Sequence, residues 1–140
     1  MSFRVEVERA FSIDRATMWS LWTDQEHAAR WMRPSISEFA PTVASIDARP
    51  DGRYRFEMVG NDGSVRAVSG QFVEVDEPRR LVFTWSWDGV DEESLVEVML
   101  SEVPEGTRVQ ISHTKLESQE SADQHEQGWM GCLASITQLY

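Results

Sequence analysis

Apolar and polar residues alternate from the start of the chain. In "FRVEVERAF", Phe3, Val5 and Val7 share one face and Arg4, Glu6 and Glu8 the other, the period of a strand with one solvated side. The period then changes. Asp14 is a good N-cap for the run "SIDRATMWSLW", and Met18, Leu21 and Trp22 fall on one helical face. "TDQE" has the form of a capping box, with Thr23 as cap and Glu26 reaching back. It predicts a second short helix to about Arg33, where the Arg-Pro step stops it.

Beyond Pro41 the pattern is β. "TVASIDA" is a strand, and "RPDGR" is a turn in which glycine is expected to supply positive φ. In "RYRFEMVG", Tyr54, Phe56 and Met58 alternate with Arg53, Arg55 and Glu57. "NDGS" is a hairpin turn. "VRAVSGQFVEV" is a longer strand, bent or bulged at Gly70. "LVFTWSW" puts Leu81, Phe83, Trp85 and Trp87 together. "SLVEVML" and "TRVQISHT" complete an antiparallel meander of seven strands. The fold class is α+β: strand, two short helices, six strands and one long helix, spanning 1–140 as a single domain.

An antiparallel sheet has one face to bury, and two short helices cannot cover seven strands. The C-terminal helix, about 20 residues or about 30 Å long, is the element that can. "SADQ" has capping-box form and predicts its start. Ala122, His125, Trp129, Leu133, Ile136 and Tyr140 make one stripe; Gly128, Gly131, Cys132 and Ser135 make a neighbouring stripe of small residues. Each glycine costs about 0.8–1 kcal/mol relative to alanine in a helix interior. Two readings offset that cost: close backbone packing, or space left for a cavity with Trp129 in its wall. Phe56, Phe83, Trp85, Val98, Val109, Ile111 and Leu133 are the expected core.

Composition narrows the function. The 140 residues carry 13 basic and 24 acidic side chains, a net charge of −11. That argues against nucleic acid and anionic membranes as partners, since both recruit basic surfaces. A single cysteine, Cys132, allows no internal disulfide, and with neither a signal peptide nor a long apolar run the expected location is the cytoplasm. His27, His113 and His125 are scattered without ligand spacing, so no metal site is expected. The acidic run "DGVDEE", with Asp91, Glu92 and Glu93, reads as a solvated loop: it lacks EF-hand spacing and has little means of shifting its pKa values. There is no Gly-x-Ser-x-Gly elbow and no phosphate-cradling loop.

Four stretches carry a family likeness: "AFSIDRATMWSLWTDQEHAARWMRP", "DGRYRFEMVGNDG", "RRLVFTWSW" and "HEQGWMGCLASI". In that order they resemble the START-like, or SRPBCC, superfamily, and most of all the branch named for the C-terminal domain of the Hsp90 ATPase activator Aha1. The resemblance implies a helix-grip fold, a curved sheet around the last helix with an apolar cavity between them. It implies no single function, because the superfamily includes binding proteins, polyketide cyclases and aromatases, and chaperone regulators.

On that frame the expected cavity lining is Trp31, Tyr54, Phe56, Met58, Trp85, Trp87, His113, His125, Trp129 and Leu133. Each has a plainer reading. Trp85 and Trp87 are equally core residues, His113 a satisfied buried histidine, and His125 an exposed residue in the first turn of a helix. Cys132 reads as a packed small residue. The leading expectation is a binding protein for a small apolar or amphipathic molecule, without a cofactor, as a monomer or weak homodimer. An alternative is a cyclase- or hydrolase-like enzyme in which His113 or Tyr54 moves a proton. A chaperone regulator ranks lower, because the Hsp90 activator uses an additional N-terminal domain.

Overall fold

The computed structural model describes residues 2–140. Seven strands, β1 (Phe3–Phe11), β2 (Val43–Ile46), β3 (Arg53–Val59), β4 (Val65–Asp76), β5 (Arg80–Trp87), β6 (Ser94–Val103) and β7 (Gly106–Leu116), form one curved antiparallel sheet. Helices α1 (Arg15–Thr23) and α2 (Gln25–Trp31) lie between β1 and β2, and α3 (Gln119–Leu139) ends the chain. The strand order is β1-β7-β6-β5-β4-β3-β2. Strands β2 to β7 form the meander that the turns predict. The first strand closes against the last, with Val7 opposite Ile111, so β1 and β2 are the two edges.

The alternation read from the sequence sets the buried face. Tyr54, Phe56 and Met58 of β3 and Leu81, Phe83 and Trp85 of β5 are buried, together with Val98, Val109, Ile111 and Leu133. Burying a side chain of this size stabilises by about 1.5–3 kcal/mol. Helices α1 and α2 contribute Met18, Trp19, Leu21, Trp22, Ala28 and Trp31 to the same core.

Local details differ from the sequence reading, each for a steric or hydrogen-bonding reason. Thr23 does not cap α2: it stays in α1, its hydroxyl donating to the Trp19 carbonyl, and the Asp24 carboxylate accepts from the Glu26 and His27 amides. Helix α2 stops at Trp31, two residues before the Arg-Pro step. Helix α3 begins earlier than "SADQ" implies, because Ser118 accepts from the Ser121 amide. In "RPDGR" the positive φ belongs to Asp51, at 67°. Gly52 is required for space, since a Cβ there would overlap the Asp47 carbonyl. The irregularity in β4 falls between Phe72 and Glu74, where Val73 turns outward. Gly70 serves a close approach instead: a Cβ would overlap the Thr84 carbonyl.

Candidate functional site

The N-terminal half of α3 packs on β1 and β7 through Ala122, buried with Val5 and Leu116, and on its other side, toward β5, leaves a cleft of about 500 Å³. Its sheet wall is Met58, Trp85 and Trp87; its helix wall includes Ser121, His125, Gly128, Trp129 and Cys132. Such a volume falls in the range of small-molecule sites. Gly128 explains part of the opening, because nothing lies within 4 Å of where its Cβ would be. Gly131 does the opposite. A Cβ there would overlap the carbonyl of Pro34, so α3 touches the chain after α2 backbone to backbone. The Ser135 hydroxyl sits at the same contact, shared between the Gly131 carbonyl at 3.1 Å and the Arg33 carbonyl at 3.3 Å. Both readings of the small stripe therefore hold, one at each glycine.

Aromatic rings line the cleft. Trp85 lies 5.0 Å from Trp129 between centroids, and meets Trp87 edge-on at 5.6 Å. Two histidines hold these rings in place. His113, on β7, is fully buried; its Nδ1 accepts from Trp129 Nε1 at 3.0 Å, and its Nε2 lies 2.7 Å from Ser94 Oγ. Ser94 in turn donates to the Trp85 carbonyl. With Nδ1 accepting, Nε2 must carry the proton, and the imidazole is neutral. Burial, reinforced by the neighbouring His125, pushes the His113 pKa down to about 3. His125 is the second clamp. Its Nε2 accepts from Trp87 Nε1 at 3.0 Å, and its Nδ1 lies 2.7 Å from the Ser121 carbonyl. The two imidazoles meet edge-on at 4.6 Å. Trp85 Nε1 is buried and has no hydrogen-bond partner among the described residues.

The ten residues expected at a cavity divide evenly. Met58, Trp85, Trp87, His125 and Trp129 line the cleft. Trp31, Tyr54, Phe56, His113 and Leu133 are buried but do not line it. Trp31, the last residue of α2, is sealed against α1, where its Nε1 donates to the Leu21 carbonyl at 2.8 Å. Tyr54 packs among Phe56, Phe72 and Phe83, and its hydroxyl donates to the Thr84 carbonyl. Burial raises the Tyr54 pKa well above its ordinary value. Ser94 and His113 form a serine–imidazole pair at nucleophile–base distance. Both are sealed in the core, and the far imidazole nitrogen faces an indole rather than a carboxylate. Cys132 is packed, as its place in the small stripe implied, and burial pushes its thiol up to about 12.

The polar end of the cleft has no signal in the sequence. Glu92 is not simply solvated: its carboxylate accepts from the Glu117 amide at 2.8 Å and from the Ser121 hydroxyl at 3.2 Å. It docks the β5–β6 loop onto the start of α3. Arg66 lies with its guanidinium 4.7 Å from the centre of the Trp87 ring. Both pairings join residues far apart in sequence, and no local motif announces them.

This architecture, a curved sheet holding a helix with a cleft between, can be compared with known proteins. The sequence model described as "Activator of Hsp90 ATPase homolog 1-like protein" matches residues 12–140. The chain belongs to this family. Among solved structures it is similar to the AHSA1 protein of Silicibacter pomeroyi, at 25% identity and a TM-score of 0.85, covering 96% of this chain and 94% of that one. It is also similar to an AHSA1-like protein of Aeromonas hydrophila, at 27% identity and a TM-score of 0.83, covering 97% and 90%. A Chromobacterium violaceum protein at 18% identity shares the fold, with a TM-score of 0.83 over 97% of this chain and 96% of that one. No curated protein matches the sequence. No helix among the described residues is long and apolar enough to cross a membrane.

Proposed function

We propose that the protein binds a small apolar or amphipathic molecule in the cleft between β5 and α3, without a cofactor. The observation that carries this reading is a cleft of about 500 Å³ walled by three indoles and kept open at Gly128. Tryptophan walls offer large, flat apolar contact at low conformational cost. Met58, Trp85, Trp87, His125 and Trp129 are the proposed contacts. Phe56 and Leu133 support them from the core.

The enzyme reading uses the same cavity but needs a group that can move a proton. The two groups that the sequence offers, His113 and Tyr54, are held in the core with their polar atoms paired. Binding is therefore the better-supported reading. A protein-docking role would call for a contiguous exposed apolar patch. The exposed large apolar side chains are instead spread over β2, β4, the β5–β6 loop, β6 and α3. We propose a cytoplasmic monomer or weak homodimer. The charges on Arg4, Glu6 and Glu8 guard the face of edge strand β1 but leave its backbone free to pair.

Native mass spectrometry of the protein purified from its source tests the binding reading. The expected result is a retained small molecule in the wild type and none in Gly128→Leu, whose side chain fills the cleft. An empty wild-type protein that also takes up no apolar probe dye would overturn it.

A further inference from the structure

The cleft has a long axis, and charge is unevenly distributed along it. Its helix wall runs from Ser118 to Cys132, roughly 20 Å at the helical rise. Pro34 lies against Gly131, and the Phe39 carbonyl accepts from Arg33. Pro34, Phe39 and Met58 give the lining apolar groups away from the Ser118 end, and the Arg33 guanidinium does not line the cleft. Three glutamates, Glu92, Glu117 and Glu120, line the Ser118 end.

A helix N-terminus ordinarily favours an anion. Here the protein places a carboxylate of its own, Glu92, beside that end. The Glu92 carboxylate already takes the Glu117 amide and the Ser121 hydroxyl, and Ser118 takes the Ser121 amide. The Gln119 and Glu120 amides are not among these donors, but an anionic ligand drawn to them would meet three glutamates, Glu92, Glu117 and Glu120. A cation would find the reverse. The indole faces also favour positive charge, and one already has it: the Arg66 guanidinium over Trp87. Arg66 is the sole cationic side chain lining the cleft among the described residues, it stands on the sheet side, and it forms no ion pair there.

We propose that the ligand is an amphipathic cation: an apolar or aromatic body held between Trp85 and Trp129, with an ammonium group directed at Glu92, Glu117 and Glu120. This rests on the binding reading above and adds the sign of the ligand's charge.

Three probes that share one naphthalene body separate the two ideas: naphthylmethyl-trimethylammonium, naphthylmethanol and naphthylacetate. Their binding is followed through the indole N–H signals of Trp85, Trp87 and Trp129. The expected result is that the ammonium binds about tenfold more tightly than the acetate at low salt, with the alcohol between them, and that the spread narrows at high salt. Glu117→Gln combined with Glu120→Gln weakens the ammonium by about threefold to tenfold and leaves the alcohol unchanged. Arg66→Gln strengthens the ammonium by removing a competing charge. An alcohol that binds as tightly as the ammonium, or an acetate that binds best, overturns the charge assignment and leaves the cavity reading standing. Failure of all three probes overturns the cavity reading, and this inference with it.

Discussion

The two halves of α3 meet the rest of the protein in opposite ways. The C-terminal half is closed: at Gly131 its backbone rests on the Pro34 carbonyl, the Ser135 hydroxyl is shared between the Gly131 and Arg33 carbonyls, and Leu133 and Ile136 are fully inside the core. The N-terminal half is open on the side toward β5: nothing approaches Gly128, and Ser121, Gln124 and His125 line a cleft. One helix thus anchors a solid core with one end and walls a cleft with the other. Two glycines three residues apart therefore have different purposes. In the closed half glycine permits contact; in the open half it preserves space.

Substitutions in the closed half test this contrast most severely. Leu133→Ala should cost about 2–5 kcal/mol in urea unfolding, because the cavity left behind cannot collapse against a packed sheet. A near-wild-type midpoint would show that the closed half is not solid. Gly131→Ala comes next. Its gain in helix propensity is outweighed by overlap with the Pro34 carbonyl, for a net loss of about 1–3 kcal/mol. A stabilised variant would mean that α3 can shift away from Pro34 freely.

The boundary between the halves is set by His113, which clamps Trp129 from beneath, and pH probes it. The folded His113 stays neutral down to about pH 3, whereas the unfolded chain takes up a proton below about pH 6.5. Its folded pKa is lowered, so the unfolded state binds more protons as pH falls. Stability from this group is therefore complete above pH 6.5 and declines toward pH 3, at about 1.4 kcal/mol per pH unit within that window. Carboxylates held low, such as Asp14 beside Thr17 and Asp88 beside Arg55, act only further toward acid. Denaturation series between pH 7 and 4.5 should show the slope in the wild type and its loss in His113→Gln. A wild-type slope equal to that of the variant would remove His113 as the cause.

The smallest effect is the most diagnostic. Gly128→Ala should stabilise by up to about 1 kcal/mol, the helix-propensity difference with no steric penalty. Opposite signs at Gly128 and Gly131 in paired thermal melts would establish the contrast; equal signs would break it.

Much of the fold is legible in the chain. The alternation of Tyr54, Phe56 and Met58, and of Leu81, Phe83 and Trp85, determines which face of the sheet is buried, since a slip of one residue would turn every side chain outward. The helical stripe Ala122, Trp129, Leu133 and Ile136 determines which side of α3 faces it. The family follows from the same motifs, and five of the ten expected lining residues do reach the cleft. Tertiary structure decides the rest. Whether Thr23 or Asp24 caps α2, and whether Ser118 or Ser121 caps α3, depends on a competition between neighbouring oxygens that a local motif leaves open. A small stripe states that space is available, but only the position of Pro34 decides whether backbone or solvent fills it. Likewise, His113 is compatible with the core or a cavity, and His125 with a cavity mouth or solvent, until Trp129 and Trp87 donate to them. Periodicity is a property of neighbours along the chain, so sequence carries it. A cleft is a property of surfaces brought together from β5, the β5–β6 loop and α3, and it exists only once the chain has folded.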